Sequence, residues 1–178
     1  MQYKIFKFKR VKSTNNTAIR IIKETNCNLG MVISETQVKG KGQYGRKWIS
    51  FKGNLFVTFF NKLNKSKLKI SSITKYNCFL VKELLSKFTK KKILFKKPND
   101  LLIDKKKISG ILQEVILINN NKFLITGIGI NITKNPIIKN YPATNLQEVI
   151  KKSISKTIVE KKLIQIFEKN LFKLYRIK

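Results

Sequence analysis

Between Gly40 and Trp48 the chain reads G-K-G-Q-Y-G-R-K-W, glycines alternating with basic and polar side chains. A backbone without Cβ atoms can close on an anion, and Lys41, Arg46 and Lys47 can neutralise it. Phosphate is the anion that suits this composition. The segment is neither the G-x-x-x-x-G-K-[ST] phosphate loop nor the dinucleotide fingerprint, because no helix start follows and the tryptophan leads to a strand. A mobile surface loop and a nucleic-acid contact loop stay open on these residues alone.

Three further groups could do chemistry. Lys97-Pro98-Asn99-Asp100 presents an amide and a carboxylate together after a strand. Magnesium prefers oxygen ligands and substrate phosphates, so Asp100 is a candidate Mg²⁺ or ribose contact, with a plain turn as the alternative. Lys107-Ile108-Ser109-Gly110-Ile111-Leu112-Gln113-Glu114 alternates as a strand does, which puts Lys107 and Ser109 on one face with room beside them at Gly110. A lysine on a sheet facing a pocket is a fixed positive charge for an anionic intermediate; otherwise it is a solvated surface residue. In Gly127-Ile128-Gly129-Ile130-Asn131 two glycines share a strand face, where a flat ligand could lie against the backbone or a helix could cross closely.

Composition narrows the chemistry. The 178 residues carry 39 Lys and Arg against 9 Asp and Glu, a formal charge of +30, and no histidine. Ser-His-Asp hydrolysis and histidine-based zinc sites are therefore excluded. Such a charge points first to nucleic acid. Most of it, however, is lysine spread from Lys4 to Lys178 among many Asn and Ile, as A/T-rich codons supply, and a solvated surface accounts for it, with an acidic protein partner or polyanion as the alternative. Cys27 and Cys78, each read inside a helix-like segment without metal-ligand spacing, fit a reducing compartment. No apolar run is long enough to cross a bilayer, and Met1 to Lys12 mixes lysines into its apolar residues, so a soluble cytoplasmic protein is expected.

The elements that must position these residues follow from periodicity. Tyr3 to Val11 alternates as a half-buried strand, Ser13 offers a helix cap, and Ala18, Ile19, Ile21 and Ile22 mark one side of a helix to about Glu24. Met31 to Thr36 and Asn54 to Phe60 read as strands around the glycine-rich loop. Ile70 to Phe88 has a clear helical period. Strands are expected at Ile93 to Phe95, Leu101 to Ile103, Lys107 to Leu117 and Phe123 to Ile132, with turns at Asp104 to Lys106 and Asn119 to Asn121. An irregular stretch follows Pro136, then an amphipathic helix from about Lys156 to Tyr175 with Leu163, Ile166, Phe167, Leu171 and Leu174 buried. Hairpins dominate, so the expected fold is α+β, a mixed, largely antiparallel sheet with helices packed mainly on one face, in one domain spanning 1–178.

Taken in order, S-T-N (Ser13 to Asn15), Gln37 to Trp48, Asn54-Leu55, K-P-N-D (Lys97 to Asp100), K-I-S-G-I-L-Q-E (Lys107 to Glu114), G-I-G-I-N-I (Gly127 to Ile132) and A-T-N-L (Ala143 to Leu146) resemble the catalytic domain of biotin–protein ligases. The resemblance implies a fold like that of class II aminoacyl-tRNA synthetase catalytic domains. It implies two half-reactions: biotin and ATP give biotinyl-5′-AMP and pyrophosphate, then a carrier lysine takes the biotinyl group.

By the same resemblance, Ser13, Thr14, Asn15 and Gln37 would hold the biotin head group, with Gly40, Lys41, Gly42, Gln43, Lys107 and Gly110 also at the biotin site. Lys41, Gly42, Gln43 and Arg46 would close over the adenylate, and Trp48, Asn99, Gly129 and Asn131 would line its side. Lys107 would be the central catalytic residue, assisted by Lys41 and Arg46, and Asn99 and Asp100 would organise Mg²⁺-ATP. ATP and Mg²⁺ are the implied cofactors, biotin the substrate, and the acidic biotin carboxyl carrier protein domain of a carboxylase the acceptor. A homodimer is compatible; a membrane and specific DNA are not expected partners, and neither an N-terminal winged-helix domain nor a C-terminal SH3-like barrel is expected.

Three positions depart from the family's pattern. Its loop usually reads G-R-G-R-x-G-R-x-W, whereas Lys41 and Gln43 stand at the first two arginine positions, so charge is kept at one and lost at the other. The tryptophan usual before Pro98 is Lys97, which removes an aromatic wall, with Lys96 beside it able to take the family's lysine role. Lipoate–protein ligase or octanoyl transferase of the same superfamily is the nearest alternative, and a basic nucleic-acid-binding protein is the alternative of another class.

Overall fold

The computed structural model describes residues 2–63, 70–139 and 141–171. Seven strands form one sheet in the order β1-β2-β3-β7-β6-β5-β4. They are β1 (Lys4–Val11), β2 (Leu29–Gln37), β3 (Leu55–Lys62), β4 (Ile93–Lys96), β5 (Asp100–Ile103), β6 (Lys106–Ile118) and β7 (Asn121–Ile130). Among the described strands only β1 and β2 run parallel, and parallel neighbours need a crossover. Helix α1 (Thr14–Thr25) supplies it. Every other pairing is antiparallel.

Two tight turns set the register around the future site. Asn119 and Asn120, at φ 48° and 59°, join β6 to β7, and Asp104 and Lys105, at 49° and 62°, join β5 to β6. Two left-handed residues match the twist of a two-residue hairpin, and Asn and Asp tolerate that conformation best. The resulting register sets Gly110 directly opposite Gly129.

Alternation along the strands then makes two cores. Val32, Phe60, Phe123 and Ile125 pack with Ala18, Ile21 and Ile22 of α1 on one face. Met31, Ile33, Leu55, Val57, Phe59, Leu124, Ile128 and Ile130 face the other way. There they meet α2 (Ile70–Ser86), α3 (Leu146–Ile150) and α4 (Lys156–Lys169), with Phe167 stacked on Phe59 at 4.2 Å between ring centroids. Helices accordingly cover mainly one face, as expected from the sequence. The face that α1 covers alone is left open at the start of that helix.

Two local readings change, and part of a third lies outside the described residues. The stretch after Pro136 contains α3, whose first turn is capped by Asn145 Oδ1 accepting from the Glu148 N–H at 2.9 Å. Cys27 lies just beyond α1 and is half-buried, whereas Cys78 is buried within α2. Helix α4 is described as far as Lys169, and the expected positions Leu174 and Tyr175 fall outside the described residues.

Candidate active site

The open part of the α1 face holds a cavity of about 850 Å³, within the range of roughly 300–1,000 Å³ common for small-molecule sites. Four segments converge on it: the start of α1, the loop after β2, the β4–β5 turn with β6 and β7, and the chain between β7 and α3.

The start of α1 is built so that its polar groups remain available. Ser13 has the extended backbone of an N-cap, yet its side chain makes no capping bond. Gln37, at the end of β2, does the work instead: its Oε1 accepts from the Thr14 N–H at 2.8 Å and from Thr14 Oγ1 at 3.0 Å. The Ser13 hydroxyl, 2% exposed as a residue, is left at the cavity wall. Asn15 is fixed from three sides. Thr58 Oγ1 donates to its Oδ1 at 2.7 Å, and its Nδ2 donates to Glu114 Oε2 at 2.6 Å and to the Leu112 carbonyl at 3.4 Å. A side chain at Gly127 would collide with that amide.

The glycine-rich segment is a small clasp. Lys41 bridges to Lys47, the Gly42 N–H donates to the Arg46 carbonyl at 2.7 Å, and the Trp48 N–H donates to the Gly40 carbonyl at 2.9 Å. At its tip Tyr44 and Gly45 adopt φ 53° and 75°. Lys41, Gly42, Gln43 and Arg46 line the cavity. Gly40 does not: it is buried at the neck of the clasp, where a Cβ would meet the Trp48 backbone and Gln37. Its place in the structure is a packing one, apart from the other residues expected at the biotin site. Trp48 folds back over the sheet, and its indole occupies the space that a Cβ on Gly129 would need, with Cζ3 2.9 Å from where a Gly110 Cβ would stand. The flat group on these glycines is therefore the chain's own tryptophan.

Lys107 reaches this surface through an irregularity. Leu101 pairs with Ser109 but Leu102 pairs with Lys107, a register shift that inserts one residue into β6. Bulges of this kind re-aim side chains near sites. Strict alternation would have put Lys107 with Ser109; instead Lys107 overlies Gly110, and Ser109 is enclosed, donating to the Gly129 carbonyl at 2.8 Å. The Lys107 Nζ lies 2.7 Å from Asp100 Oδ1, the two side chains being 19% and 10% exposed. It also sits 5.2 Å from the Trp48 ring and 5.3 Å from the Tyr141 ring. Tyr141 donates its hydroxyl to Asp100 Oδ2. Burial first, and then the bond and charge of Asp100, push the Tyr141 phenol up to about 12, with Arg46 pulling it back in part. That hydroxyl is a donor at any physiological pH.

Asn99 and Asn131 both line the cavity. The Asn99 amide is spent on the scaffold, donating to the Ile111 carbonyl at 2.6 Å. Asn131 donates to the Thr144 carbonyl at 3.1 Å, but its Oδ1 is enclosed and has no partner among the described residues. Buried acceptors are rarely left so. A donor on a bound molecule, such as an exocyclic amine, would satisfy it.

The surroundings do not fit a resident magnesium ion. Both Asp100 oxygens are engaged, one by an ammonium and one by a phenol, and among the described residues no group of three His, Cys, Asp or Glu side chains converges.

Of the site residues that the resemblance implied, the structure gathers all but Gly40 around one cavity; Ser109, read on one face with Lys107, is enclosed instead. Tyr141 and its neighbours Pro136, Ile138 and Lys139 were not singled out; the one signal was a lone aromatic in an otherwise irregular stretch.

The model of a family described as "Biotin/lipoate A/B protein ligase family" matches residues 7–131. Among curated proteins, the bifunctional ligase/repressor BirA of Escherichia coli is 32% identical over 102 residues, covering 56% of this chain and 32% of BirA. BirA of Bacillus subtilis is 26% identical over 167 residues, covering 89% of this chain and 51% of that protein. The chain thus spans a third to a half of the length of these relatives. Among solved structures, the biotin protein ligase from Aquifex aeolicus in complex with biotin and ATP superposes with a TM-score of 0.79 at 31% identity, covering 98% of this chain and 73% of that one.

Proposed function

This chain belongs to the biotin/lipoate A/B protein ligase family, and from that premise we propose that it is an ATP-dependent biotin–protein ligase, forming biotinyl-5′-AMP and passing biotin to a lysine of a carrier protein. One observation carries the reading: Lys107 and the clasp from Lys41 to Arg46 stand on the wall of a single cavity large enough for both substrates.

In the first step a biotin carboxylate oxygen attacks the α-phosphorus of ATP, the bond to the leaving pyrophosphate breaks, and a mixed anhydride forms. Lys107 offsets the negative charge gathered between carboxylate and phosphate, while Lys41 and Arg46 neutralise phosphate oxygens from the clasp. The Ser13 and Thr14 hydroxyls, with Asn15 and Gln37, form the polar end for the biotin head group, and Asn131 Oδ1 accepts from the adenine amine. In the second step the carrier's amine attacks the acyl carbon, the carbon–oxygen bond to AMP breaks, and the nitrogen loses a proton.

The acceptor in this reading is an acidic carrier domain, whose encounter with a chain of charge +30 would be electrostatically accelerated. Among the described residues no helix is long and apolar enough to cross a membrane, and two free cysteines suit the proposed reducing, cytoplasmic setting.

Biotin-dependent pyrophosphate release and transfer of labelled biotin to a carrier domain test the proposal. The wild type should do both, and Lys107→Ala should lose on the order of 10²–10³ in rate while keeping its circular dichroism. Undiminished labelling would remove Lys107 from its role. Preferential activation of lipoate would change the substrate. Salt-sensitive nucleic-acid binding without pyrophosphate release would end the enzymatic reading.

A further inference from the structure

Tyr141 enters the cavity from the segment between β7 and α3, and three contacts meet on it. Its hydroxyl donates to Asp100 Oδ2, across the carboxylate from the oxygen that holds Lys107 Nζ at 2.7 Å. Its ring lies 5.3 Å from that same Nζ and 4.8 Å from the Nζ of Lys96.

Lys107 faces conflicting demands. An ammonium must be held still to be useful, yet one bound tightly by a carboxylate is withheld from an incoming anion. A donor on the far oxygen draws charge away from the oxygen that grips Lys107. Aromatic faces on two sides attract the ammonium without competing as anions. We propose, on the basis of the ligase reading above, that Tyr141 is a positioning residue for Lys107: through Asp100 and through its ring it keeps Nζ in place while leaving it available to the substrate.

Tyr141→Phe keeps the ring and removes the hydroxyl. The kcat of biotin-dependent pyrophosphate release should fall about tenfold, the size expected for one hydrogen bond to a charged group, with the KM for biotin changed by less than about twofold. In an Asp100→Asn background the same substitution should add less than about twofold, because the two residues act as one unit. No loss in the native background, or an equal loss in both, overturns the inference.

A second measurement needs no substrate. Limiting acetic anhydride labels Lys107 at a rate that peptide mass spectrometry can compare with the exposed Lys52. That ratio should fall several-fold in Tyr141→Phe; an equal or higher ratio overturns the proposal. Should the wild type release no pyrophosphate with biotin, the ligase reading fails, and the labelling ratio still decides the role of Tyr141.

Discussion

The indole of Trp48 lies in the space that a side chain at Gly129 would take. The contact ties the base of the clasp to the middle of the sheet. The absence of a Cβ on β7 therefore determines where the clasp can rest.

Gly129→Ala should push the indole off the sheet. Trp48 is the single tryptophan in 178 residues, so its fluorescence reports this contact without interference. The variant should emit at longer wavelength than the wild type and show a KM for ATP raised by roughly tenfold, as a misplaced positioning group can cause. Unchanged emission would mean the indole does not rest there.

Gln37→Leu should weaken the start of α1, because the Thr14 N–H loses the acceptor that Gln37 supplies at 2.8 Å. Loss of a cap costs about 1 kcal/mol, or roughly 2–4 °C in Tm for a chain of this size. Biotin affinity should fall with it. A melt identical to wild type would assign the capping elsewhere.

Thr58→Val preserves shape but takes the donor from Asn15 Oδ1. Leaving a buried acceptor unpaired costs about 1–3 kcal/mol, and Asn15 would be freer to turn away from the cavity. Calorimetry should show weaker biotin binding together with a lower Tm. Loss of binding with no loss of stability would mean that Thr58 itself contacts the ligand.

Alkaline titration should expose Tyr141. Its phenol is raised from the ordinary 10.0 to about 12 in the folded state. Between those values the native protein retains a proton that the unfolded chain has lost, so the contribution is complete below pH 10 and disappears by about pH 12. The stability advantage of wild type over Tyr141→Phe should shrink through that window. An advantage that stays level across it would contradict the assignment.

The sequence made the strands, the turns and most of the cavity wall legible, because alternation and the Asn and Asp turn residues speak for themselves. Asn15, Gln37 and Lys107 were identified by ordered motifs. What alternation could not show was the inserted residue in β6: it leaves no mark in the residue types, yet it turns Lys107 toward Gly110 and away from Ser109. Gly127 and Gly129 announced a close approach without naming what approaches, which proved to be Asn15 and Trp48. Helix α3, five residues long, offers too few positions for a helical period. Tyr141 acquires meaning only when a distant turn delivers it beside Asp100.

Strand β7 serves two readers at once. Leu124, Ile128 and Ile130 answer to the helices behind the sheet, while Gly127 and Gly129 answer to whatever enters in front. Phe123 and Ile125, on the same front face, belong to the core with α1, so it is the two glycines rather than the whole front face that bear on what the protein selects. The same economy makes the strand brittle to insertions: one extra residue after Asn120 would turn branched aliphatics outward and bury the glycines, so selectivity and folding would be lost in a single step.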